Sequence, residues 1–115
     1  MFPAPICRRP TFTFAPRVFR SAHHKPTCMV SAELSLYPLT PDYAPVIVDF
    51  IRTLRAQPGV EVATNGLSTQ LTGEYPAVMA ALTRAMEPTL AGAVTCSFVI
   101  KLLNVAVEPG AEVEV

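Results

Sequence analysis

Histidine is almost missing from this chain. The two copies it has, His23 and His24, stand side by side near the start, and none occurs in residues 29–115. The part of the chain with regular patterning therefore holds no Ser–His or Cys–His nucleophile pair. His23 and His24 lie in an irregular stretch and read as inert. Cysteine is scarce too. Cys7, Cys28 and Cys96 show neither metal-ligand spacing nor the even number of a disulfide framework. A reducing compartment, the cytoplasm, is the expectation. No apolar run reaches the roughly 18 residues of a bilayer-spanning helix. There is no Gly-rich phosphate loop, and no two carboxylates form an obvious acid–base pair. Enzymatic activity is not expected.

Net charge is also absent, but only as an average. Residues 1–28 carry Arg8, Arg9, Arg17, Arg20 and Lys25 and no acid. Residues 29–115 carry four basic residues, Arg52, Arg55, Arg84 and Lys101, against nine acidic ones, a net of −5. That part lacks the basic patch of a nucleic-acid binder. The first 28 residues hold five of the twelve prolines, show no periodicity and read as disordered. Two readings stand for them. Met29 is the true start and the extension is nonfunctional, or the Arg-rich, acid-free stretch is an organelle-targeting leader. Residues 29–115 form a single domain, and 115 residues in all allow a modest core.

What is present is strong alternation. Val30, Ala32, Leu34 and Leu36 alternate with Ser31, Glu33, Ser35 and Tyr37, the pattern of a strand buried on one side. Asp42 is the expected cap of a helix with Pro45 in its first turn. Ile47, Phe50, Ile51 and Leu54 form its apolar stripe, and Pro58-Gly59 ends it. Val60 to Thr64 is a second strand. Asn65-Gly66 is a hairpin signal, and Leu67 to Thr72 is a third strand with Leu67, Thr69 and Leu71 turned inward. Gly73 breaks that strand. A second helix runs from Glu74 to about Leu90, burying Val78, Ala81, Leu82 and Ala85. Val94 to Leu103 is the last strand, with Cys96, Phe98, Ile100 and Leu102 toward the core and Thr95, Ser97, Val99 and Lys101 away from it. Pro109-Gly110 leads into a tail expected to add an edge strand.

The order βαββαβ predicts an α+β, ferredoxin-like sandwich. Right-handed crossovers put both helices on one face of a four-stranded antiparallel sheet, with the first and last strands adjacent. The other face, holding Ser31, Glu33, Ser35, Tyr37, Ser97, Val99 and Lys101, is left to water, a ligand or a second subunit. Each candidate there has two readings. Glu33 pairs with Lys101 across strands, an exposed contact of only ~0.2–1 kcal/mol, or it serves a ligand cation or amino group. Tyr37 covers the end of the core or stacks on a flat ring. Ser68 and Thr69 are ordinary strand formers or hydroxyls for a heterocycle.

The run Met29-Val30-Ser31-Ala32-Glu33-Leu34-Ser35-Leu36-Tyr37-Pro38-Leu39 resembles the opening strand of the thiamine-binding YkoF-like family of small proteins. The resemblance continues through Asp42-Tyr43-Ala44-Pro45-Val46-Ile47, Phe50-Ile51, Leu67-Ser68-Thr69-Gln70-Leu71-Thr72-Gly73-Glu74 and Val99-Ile100-Lys101, and covers residues 29 to about 104. It implies a ferredoxin-like fold, assembly into dimers or tetramers through the sheets, and binding of thiamine or its hydroxymethylpyrimidine moiety without transformation. The ligand-binding set expected on that basis is Glu33, Ser35, Tyr37, Ser68, Thr69 and Lys101. Glu33 would meet the amino group or the thiazolium. Tyr37 would stack, and the hydroxyls would satisfy ring nitrogens. Thiamine diphosphate fits less well, because Lys101 is the one basic residue expected on the open face. No cofactor or metal is implied. A structural or regulatory oligomerisation module is the main rival, and an enzyme acting on a thiamine precursor stands third. After Lys101, family members continue with a polar, basic stretch and a further strand. Here Leu102-Leu103-Asn104-Val105 is apolar and the tail is acidic.

Overall fold

The computed structural model describes residues 28–114. The readings of the basic extension, and of His23 and His24 within it, lie outside the described residues. The elements are β1 (Met29–Pro38), α1 (Ala44–Arg55), β2 (Val60–Thr64), β3 (Thr69–Glu74), α2 (Tyr75–Leu90) and β4 (Cys96–Leu103). The sheet order is β2-β3-β1-β4, and every neighbouring pair is antiparallel. This is the ferredoxin-like sandwich that the element order predicts.

The alternation in β1 does the folding. Val30, Ala32, Leu34 and Leu36 are buried and share their face with Leu71 and Thr69 of β3 through the pairs Ala32↔Leu71 and Leu34↔Thr69. Both helices pack there. Phe50 and Leu54 come from α1, and Val78, Ala81, Leu82 and Ala85 from α2; all six are buried. Phe50 meets Phe98 of β4 with ring centroids 5.0 Å apart and planes tilted by 60°. Cys96 is half-buried against the same core.

Several local expectations are corrected. Asp42 does not cap α1: Tyr43 holds that position, with no side-chain cap bond. β3 begins at Thr69, so Leu67 is not inward; it is 89% exposed in the turn. The cause is Asn65, whose Oδ1 accepts from Leu67 N at 2.8 Å and Ser68 N at 3.1 Å and lengthens the turn. Gly73 does not break β3, which continues to Glu74. Its missing Cβ makes room for a close chain approach: a Cβ there would lie 2.5 Å from the Gly59 carbonyl oxygen. Ile100 and Leu102 have the expected facing but not the burial, being 40% and 47% exposed. Two helices lie chiefly over β1, β2 and β3, and the edge strand β4 projects beyond them.

Among the described residues the tail adds no strand. It crosses the helix-free face as a strap. Ser31 Oγ donates to Val105 O and accepts from Val107 N, both at 2.7 Å. Thr72 Oγ1 donates to Val107 O at 2.7 Å and lies 2.6 Å from Ser31 Oγ. Farther on, Gly110 N donates to Gln70 Oε1 at 2.8 Å. Ser31, Thr72 and Val105 are buried in consequence.

Candidate functional site

The β1–β3 ladder ends at the Leu34↔Thr69 pair. Beyond it β1 continues through Pro38 with β4 as its sheet neighbour. The hairpin turn and α1 stand apart at that end, and the space between them is a cavity of about 450 Å³. Its walls are Leu36, Tyr37, Pro38 and Leu39 from β1 and its exit, Tyr43, Ile47, Phe50 and Ile51 from α1 and its cap, and residues 64–69 of the hairpin. Ile47 and Ile51 belong to the predicted core stripe of α1, yet they are only partly buried, because the cavity lies against them.

The mouth is apolar and aromatic. Tyr37, Leu39, Tyr43 and Leu67 all line the cavity and are each more than half exposed. Clustered exposed side chains of this size mark a binding surface, whereas isolated ones are ordinary. Hydroxyls are built in among them. Thr64 Oγ1 and Thr69 Oγ1 are 2.9 Å apart, and Ser35 Oγ donates to Leu67 O at 3.3 Å. A volume of this size lies within the usual range for small-molecule sites.

The six predicted site residues fall into two groups that share Ser68. Ser35, Tyr37, Ser68 and Thr69 line the end cavity. Glu33 and Lys101 do not; they face each other on the helix-free side, in register. Lys101 Nζ is 3.5 Å from Glu33 Oε1, and Ser68 Oγ donates to Glu33 Oε2 at 3.1 Å. Glu33 and Lys101 instead border a smaller cavity of about 260 Å³, which the strap residues Val107 and Ala111 help to wall. Sequence reasoning missed Tyr43 and Asn65. Tyr43 sits next to the misplaced helix cap. The sequence pattern marks Asn65 as a turn former alone, whereas its side-chain bonds shape the cavity's hairpin wall.

Among the described residues, no three His, Cys, Asp or Glu side chains come together as a metal site. No helix among them is long and apolar enough to cross a membrane.

The family model described as the YKOF-related family matches residues 29–95. No curated protein matches the chain. Among solved structures, a domain of unknown function, DUF77, from Bacillus cereus is similar at 21% identity and a TM-score of 0.57, covering 77% of this chain and 85% of that one. A hypothetical protein of Methanocaldococcus jannascii is similar at 21% identity and a TM-score of 0.58, covering 73% and 84%. A Thermotoga maritima protein, whose description proposes a part in thiamine biosynthesis or salvage, is similar at 16% identity and a TM-score of 0.51, covering 63% and 81%. At these identities the likeness is one of fold.

Proposed function

Since the chain belongs to the YKOF-related family, we propose that it binds thiamine or its hydroxymethylpyrimidine moiety without transforming it, in thiamine salvage, transport or sensing. The observation that carries this reading is the aromatic-rimmed cavity at the end of the sandwich. A flat ring entering it has Tyr37 and Tyr43 at the mouth, and stacking on a thiazolium cation contributes ~0.5–2 kcal/mol. Ser35, Thr64, Asn65, Ser68 and Thr69 are among the lining residues, and their polar side chains are the proposed partners for the heteroatoms of an aminopyrimidine. A buried ring nitrogen without such a partner carries a desolvation cost. The description of the Thermotoga neighbour is in keeping with the same ligand. The proposed contacts are Ser35, Tyr37, Ser68 and Thr69, joined by Tyr43 and Asn65; Glu33 and Lys101 serve a ligand that approaches from the helix-free face. The working compartment is the cytoplasm, with an organelle as the alternative.

Titration calorimetry with thiamine and with hydroxymethylpyrimidine tests the reading. Binding of either, weakened by roughly 1–2 kcal/mol in Tyr37→Ala, is the expected outcome. Glu33→Gln separates the two groups of candidates: unchanged affinity keeps the ligand in the end cavity, and a loss moves it to the open face. Absence of heat from both compounds at high protein concentration removes the proposal.

One feature favours a second reading, an oligomerisation module with no small-molecule ligand. Strand β4 is an edge, and Val99, Ile100 and Leu102 on it are exposed. Such an edge is a template for pairing with a second copy, and a homodimer or homotetramer is compatible with either reading.

A further inference from the structure

We infer that the end cavity selects the unphosphorylated ligand and rejects its phosphate esters; this rests on the binding function proposed above. None of the residues lining the cavity is acidic or basic. A phosphate or diphosphate needs several charge-assisted donors, typically Arg or Lys, or a metal ion held by protein carboxylates. The lining supplies neither kind of group. The basic side chains of the described residues are placed elsewhere. Arg52 and Arg55 are in the last turn of α1, just past Ile51, and neither lines the cavity. Arg84 is on α2, which contributes nothing to the lining. Lys101 is paired with Glu33 on the helix-free face.

The amino end of α1 does not replace them. Helix starts attract anions through free backbone N–H groups. Pro45 has no N–H, Ala44 and Val46 do not line the cavity, and Ile47 N is already bonded to Tyr43 O at 3.3 Å. A neutral hydroxymethylpyrimidine or a cationic thiamine fits this environment. Its diphosphate would bring charge into an apolar mouth with no partner, which is costly.

The test is a calorimetric series on the full chain with thiamine, thiamine monophosphate and thiamine diphosphate, with and without magnesium. Diphosphate is expected to bind at least about tenfold more weakly than thiamine, with the monophosphate between them and no recovery on adding magnesium. Leu67→Arg puts a guanidinium at the rim, on a side chain that is 89% exposed and whose replacement leaves the core intact; it is expected to narrow the gap. A diphosphate that binds the unaltered chain as tightly as thiamine overturns the inference and leaves the binding function standing. A gap that Leu67→Arg leaves unchanged also overturns it, because charge is then not the cause of exclusion. A chain that binds none of the three overturns the inference and the binding function together.

Discussion

Of the glycines among the described residues, Gly73 has the least room for a side chain. A Cβ added there would lie 2.5 Å from the carbonyl oxygen of Gly59 and 3.3 and 3.4 Å from side-chain carbons of Val60 and Val78. Gly59 in turn has φ +79°, in the left-handed region that glycine enters freely. A side chain at Gly73 would push β2 and the turn before it away from β3. Gly73→Ala is expected to destabilise the domain by about 1–3 kcal/mol, read as a lower urea midpoint at unchanged slope. Both glycines are visible in the sequence, but with opposite clarity. Pro58-Gly59 announces a turn, whereas Gly73 looks like a strand breaker, because nothing local shows that another backbone passes over it. Leu67 is a similar case. Alternation puts it in register with Leu71, and only the bonds from Leu67 N and Ser68 N to Asn65 Oδ1 reveal that the strand has not yet begun.

Among the elements, β1 and α2 were the most legible, since each buries one periodic face against a complete neighbour. β4 was less so. Its apolar residues alternate as a half-buried strand should, yet burial depends on whether a helix lies above, and a sheet four strands wide extends past two helices. The outcome is an edge with Ile100 and Leu102 uncovered on the helix side and Val99 uncovered on the other. Lys101 is the charged residue within β4, a light guard against pairing. If copies of the chain associate along this edge, Ile100→Lys is expected to shift light-scattering mass toward the monomer, with little change in thermal midpoint, since the side chain is already 40% exposed. An unchanged mass would move the interface elsewhere. The same view explains the candidate site. Serine, threonine and tyrosine in and near β1 and β3 were identifiable from pattern. Their division between an end cavity and the open face depends on where the β1–β3 ladder stops, a property of two strands together.

At the scale of the molecule, the strap is what the sequence concealed. Its contacts join residues 31 and 72 to residues 105 and 107, with separations of 74 and 76 for the bonds to Ser31. No local pattern could announce them, and Ser31 and Thr72 carry the same alternation as exposed hydroxyls. Two hydroxyl protons serve the contacts among Ser31, Thr72 and the two strap carbonyls, so each group depends on the others. Ser31→Ala leaves Val107 N–H and Val105 C=O without this partner, for an expected loss of about 1–3 kcal/mol. Contacts of such long separation form late, so stopped-flow measurements should find faster unfolding with refolding nearly unchanged. A matching slowdown in refolding would instead put the strap in the nucleus. Synthesis has the same order. All four strands and both helices of the described residues precede residue 105, so the ribosome delivers the sheet with its helix-free side bare, and the cover for that side arrives only after the sheet is complete.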